Sequence, residues 1–164
     1  MSFYKEFEKE HPGSDLTRVS DFTTSMVGDR SDQKLKTKGA ETWGVTLFLI
    51  DQLRHSSIDF ADRDRLLKAG ECLKRIVTIW KSNDWTLPRD LANEALNNML
   101  IHIELMRPFE TYQPKHHLMI HPLAETPIKG NPWFYGSWLD ESLNKVLKAA
   151  VSYTHLTLPT TGSV

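Results

Sequence analysis

The chain has 164 residues, with 20 Lys and Arg against 21 Asp and Glu and a formal net charge of −1. Such balance removes the simplest argument for a surface that coats nucleic acid, although a local basic patch is compatible with it. The only cysteine, Cys72, cannot close an intramolecular disulfide, so a stapled secreted scaffold is excluded and a reducing intracellular compartment, cytoplasmic or nuclear, fits best.

The acidic, interrupted start from Met1 to Glu10 lacks the apolar central stretch of a secretory signal. From His11 to Lys38 the chain is rich in Ser, Gly and Asp, with little apolar periodicity. Residues 1–38 are therefore expected to be a mobile or loosely packed lead-in, with a long loop.

Helical periodicity begins at Ala40. Trp43, Leu47, Ile50 and Arg54 share one face while Val45, Phe48 and Leu49 make the other sides apolar, which predicts a central, buried helix. The run Val45–Ile50 is far shorter than the roughly 20 residues needed to span a bilayer, so no membrane partner is expected. Asp59 is placed to cap the next helix, with Asp62 in its first turn. In that helix Leu66, Ala69, Gly70, Leu73, Ile76, Val77 and Trp80 form one stripe, the clearest amphipathic pattern in the chain.

Pro88 suits the start of a third helix, carried by Ala92, Ala95, Leu96, Met99, Leu100, Ile103 and Met106 and ending before Pro108. Leu139, Leu143, Val146, Leu147 and Ala150 mark a last helix, where Ser137 and Asp140 resemble a capping box. Together these predict an all-α domain over residues 39–150, an irregular bundle of four or five helices around Trp43, Leu47, Leu73, Ile76, Leu96, Leu100 and Leu143.

The segment Pro114-Lys115-His116-His117-Leu118-Met119-Ile120-His121 holds three of the seven histidines. If a helix starts at Pro114, His117 and His121 lie on one face, a spacing at which two imidazoles can share a metal ion, with Asp140 or Glu141 as the third ligand. His116 points about 100° away. Leu118 stands where a zincin-type motif has Glu, and Pro122 is expected to end or kink the helix. The favoured reading is structural: His117 and His121 partly buried, tied to Asp140, Glu141, Asn144 or a backbone carbonyl, and holding two helices in register. Zinc or another divalent metal is the alternative, with His117, His121 and Glu141 as its ligands.

Gly130-Asn131-Pro132-Trp133-Phe134-Tyr135-Gly136-Ser137-Trp138 puts four aromatics among turn residues. Core packing is preferred over a platform for single-stranded bases, because only Lys115, Lys129, Lys145 and Lys148 are nearby. Trp43, Trp80 and Trp85 likewise read as core or its margin. Phosphate-loop, dinucleotide and nucleophile-elbow motifs are absent from the sequence, and Cys72 has a helix-packing role. A non-catalytic domain is therefore favoured and no catalytic residue is assigned; the alternative is a metal-dependent enzyme using the His117 and His121 pair with Asp140 or Glu141.

Two resemblances complete the reading. Val151-Ser152-Tyr153-Thr154-His155-Leu156-Thr157-Leu158-Pro159-Thr160 resembles the translation of an adapter from a transposase-based sequencing library, and Thr161 to Val164 fits its continuation. It implies that residues 151–164 are an artefactual tail and that the helical domain is truncated near Ala150. The stretch Pro114 to Lys148 resembles uncharacterised proteins predicted from plankton, mainly dinoflagellate, genomes. It is more distantly similar to the helical region of CACTA-type transposon-encoded proteins. That resemblance picks out Lys115, His117, His121, Gly130, Glu141, Asn144 and Lys148, and implies a non-catalytic accessory or interaction domain of a mobile-element-related protein. Its partners are then the remainder of the parent protein or nucleic acid.

Overall fold

A computed structural model describes residues 3–11, 22–23, 26, 39–55, 59–109 and 114–135. The chain is all-α: α1 (Phe3–Glu10), α2 (Gly39–His55), α3 (Arg63–Lys81), α4 (Arg89–Met106) and α5 (Pro114–Lys129), with single 3-10 turns at Arg107–Phe109 and Pro132–Phe134. The predicted last helix, Leu143, the Ser137–Asp140 cap and residues 151–164 lie outside the described residues.

The centre of the molecule is the α3–α4 pair and not the expected α2. Of the stripe read on α3, Ala69, Ile76 and Trp80 are buried, joined by Cys72 and Ile79 from outside it, while Leu66, Leu73 and Val77 are only partly buried; α4 answers with Ala92, Ala95 and Met99. Small alanines let the helix axes approach while the larger side chains fill the space between them. Leu87 and, from α5, Leu123 complete this cluster, with Leu73, Leu91, Leu96 and Ile103 partly buried around it. Residues as enclosed as Ile76, Met99 and Leu123, at 1–2% exposure, each contribute roughly 1.5–3 kcal/mol relative to an exposed position. Leu100, expected in the core, is exposed, because it sits one helical step off the stripe formed by Ala92, Ala95 and Met99.

His102 is the one charged-type side chain buried on α4. Its Nδ1 donates to the Ala69 carbonyl at 2.9 Å, a side-chain link between α3 and α4. One helix earlier, α2 crosses α3 at Gly70, where a Cβ would stand 2.7 Å from Ile50 Cγ1. Glycine is the residue that permits this crossing. Leu49 on the other side of α2 is exposed, which is why the helix lies at a margin despite its apolar composition. The N-terminus of α3 also differs from expectation: the cap position is Asp62, without a side-chain cap bond, and Asp59 is exposed. Leu66 N instead closes onto the Asp62 carbonyl at 2.9 Å.

The lead-in reading is corrected where residues 1–38 are described. Tyr4 and Phe7 of α1 are 1% and 5% exposed and form a second cluster with Val45 and Phe48 of α2, joined by Phe22 and Met26. Tyr4, Phe7 and Phe22 each meet Phe48 edge-on, at centroid separations of 5.4–5.8 Å, the favoured aromatic geometry. Two aromatics three positions apart supply a helical face that a low overall hydropathy had concealed. Burial, with Glu8 and Glu41 adding to it, pushes the Tyr4 hydroxyl above its ordinary pKa.

α5 runs through Pro122 and Pro127 to Lys129, where a break after His121 was expected. Each proline removes one backbone donor, but packing holds the helix: Leu123 and Thr126 are buried. Thr126 Oγ1 donates to the Pro122 carbonyl at 2.9 Å. Among the described residues no helix is long and apolar enough to cross a membrane.

Candidate functional site

The end of α5 is where the described structure concentrates polar geometry. Gly130 has φ = 85°, the left-handed conformation that closes many helices, and its N–H donates to the Thr126 carbonyl at 2.9 Å. The turn aims Asn131 into the α3–α4 connection. Its backbone N–H donates to the Trp85 carbonyl at 2.7 Å. Its side-chain amide donates to the carbonyls of Trp80, Asn83 and Asp84 at 2.8, 3.2 and 3.2 Å. Its Oδ1 accepts from Trp133 N at 3.1 Å, capping the short turn that Pro132 begins.

Asn131 is 0% exposed, and asparagine combines two amide hydrogens with an acceptor on a short stem. The carbonyl of Trp80 in the last turn of α3 and those of Asn83 and Asp84 beyond it all accept from this one side chain. The connection from Ser82 to Pro88 is thereby fastened to the end of α5.

Beside this latch lies a cleft of about 510 Å³ lined by Lys81, Asn83, Asp84, Pro88, Trp133 and Phe134, among others. The Lys81 ammonium stands 5.1 Å over the Trp133 ring, a cation–π contact. Trp85 is 54% exposed and is flanked by Phe134 at 5.9 Å and Tyr135 at 6.2 Å between ring centroids. The expectation of core packing for this aromatic run is thus corrected for Trp85, Phe134 and Tyr135. Trp80 is buried, Trp43 and Trp133 are partly buried, and Trp138 lies outside the described residues. The Trp85 indole lies against Gly130, where a Cβ would stand 2.8 Å from its Nε1.

The histidine pair is also displaced from its expected role. His117 and His121 are both exposed on α5, so the reading as partly buried scaffolding is corrected. Their Nε2 atoms lie 3.2 Å apart, with the rings nearly perpendicular. The periodicity that put them on one face holds; what failed was the sign of that face, since Leu123 and Thr126 take the inward side. Asp140, Glu141, Asn144 and Lys148 lie outside the described residues, as do the side chains of Lys115 and His116. One turn beyond His121, Glu125 pairs with Lys129 Nζ at 2.6 Å, which holds its carboxyl below the ordinary range. Among the described residues no group of three or more His, Cys, Asp or Glu could hold a metal ion.

Cys72 is buried, and burial pushes its thiol up, with Lys68 opposing. A neutral, enclosed thiol is a poor nucleophile. No known protein family, curated protein or solved structure matches the chain.

Proposed function

We propose that this chain is a non-catalytic interaction domain of a mobile-element-related protein, and that it engages a partner polypeptide through the exposed aromatic surface beside the cleft between the α3–α4 connection and the end of α5. The observation that carries the reading is the exposed trio of Trp85, Phe134 and Tyr135 mounted on the Asn131 latch. Exposed aromatics on a rigid backbone bury much apolar area at little conformational cost, and such rings are enriched at the centres of protein interfaces. Lys81 and Asp84 both line the neighbouring cleft, and Arg89 and Asp90 are exposed at the start of α4. That mixture favours a polypeptide over a nucleic-acid backbone, which calls for a basic groove.

The mobile-element part of the reading is supported by the resemblance of Pro114 to Lys148 to transposon-encoded proteins. Terminal inverted repeats flanking the genomic locus would accompany it, and a locus without them removes that part. The binding part is tested by panning a displayed peptide library against the chain. Recovered peptides should shift Trp emission and lose binding to a Trp85→Ser, Phe134→Ser double variant. Peptides that bind the double variant equally, or a library that yields none, would sink the proposal.

A further inference from the structure

The outward face of α5 carries a feature separate from the aromatic cleft. We propose that His117 and His121 form a two-point site for a divalent first-row transition metal, the remaining coordination positions being filled by water.

The spacing carries the inference. Two imidazoles bound to one ion at about 2.0–2.1 Å each, with an angle of roughly 100° between the bonds, have nitrogens about 3.2 Å apart. His117 Nε2 and His121 Nε2 are separated by 3.2 Å. That angle lies between the octahedral and tetrahedral values, so the nitrogen separation matches what a shared ion requires; the same separation serves a ring-to-ring hydrogen bond. Both side chains are exposed, so the ion keeps its waters and no charge is buried. Residues four apart on a helix are held in this relation by the backbone itself, and α5 continues for two turns beyond His121.

Imidazole selects the class of cation. Magnesium and calcium prefer oxygen donors, whereas zinc, nickel and copper accept neutral nitrogen, with Cu²⁺ highest in the general affinity order. Glu125 is committed to Lys129, which leaves the site at two protein ligands. Two ligands with open positions describe a surface docking point for a metal and not an enclosed structural site.

The test is a calorimetric titration of the full chain with Cu²⁺ and Zn²⁺, repeated on His117→Ala and His121→Ala, with helicity of each variant checked by circular dichroism. Because the variants retain one imidazole, cooperation between two reads out as a loss on the order of 10²-fold in either single variant. Electron paramagnetic resonance of the copper complex should report two equivalent nitrogens in the wild type and one in each variant. Single variants that are folded and bind like the wild type would overturn the proposal, as would a comparable heat with Mg²⁺.

Discussion

The side-chain amide of Asn131 donates to the carbonyl of Trp80 at 2.8 Å and joins positions 51 residues apart. The same side chain also meets the backbone of Asn83, Asp84 and Trp133. Asn131 thereby ties together the two walls of the candidate cleft, which Leu123 and the Lys81–Trp133 contact also join.

Removing that residue should therefore cost more than its size suggests. Asn131→Ala leaves buried carbonyls unsatisfied, and a loss of about 3 kcal/mol is expected in urea unfolding. Asn131→Asp conserves shape but turns an acceptor toward three carbonyls. It should destabilise at least as much as Ala; a near-neutral Asp variant would remove the donor role assigned here.

Gly130 is the hinge on which the latch turns. At φ = 85° an L side chain is strained, and its Cβ would stand 2.8 Å from Trp85 Nε1 and 2.9 Å from the Trp85 carbonyl. Gly130→Ala should lose about 2 kcal/mol or more. Trp85 should move with it, so the intrinsic emission of the folded variant is expected to differ from the wild type; an unchanged melting curve and spectrum would contradict this.

The Arg75 guanidinium donates twice to Glu94, from Nε at 2.6 Å and from the terminal nitrogen at 2.9 Å, and holds that carboxyl below its ordinary range. A depressed folded pKa stabilises above the unfolded value and is lost as pH falls through the folded one. The advantage of the wild type over Glu94→Gln should accordingly be present at about pH 7 and decline as the pH falls below the ordinary carboxylate range. Both groups are exposed, so the effect is small and should shrink in high salt. An advantage that grows on acidification would refute the assignment.

Cys72 offers a chemical check on the core. Its enclosed, raised-pKa thiol should react with iodoacetamide at about pH 8 at least about tenfold more slowly in the native chain than in urea. Equal rates would place Cys72 at the surface and contradict the α3–α4 interface.

Helix-scale features were readable because apolar spacing is enough to define them. Ala69, Ile76 and Trp80 on α3 and Ala92, Ala95 and Met99 on α4 follow from a 3.6-residue period, and the stop before Pro108 follows from a ring that cannot continue a helix; Cys72 and Ile79, also buried, lay outside the stripe read from the sequence. Which side of a helix faces inward is less legible when polar and apolar residues mix. On α5 the histidines were placed inward, whereas Leu123 and Thr126 took that position. Pro122 misled for a related reason, since a lost donor is tolerated when tertiary contacts hold both flanks. The cleft was invisible because its organiser is Asn131, and Asn-Pro spells only a turn until the carbonyls of Trp80, Asn83 and Asp84 are brought to it.

Tyr4, Phe7, Val45 and Phe48 share no member with the group built on Ile76, Met99 and Leu123. Thermal opening can then proceed in two grades. Detaching the first helix wets one aromatic nest and leaves the larger interior dry, so amide protons of Phe3–Glu10 should exchange well before those buried between the third and fourth helices. A molecule arranged this way can release its N-terminal segment to another contact while the Asn131 latch stays closed.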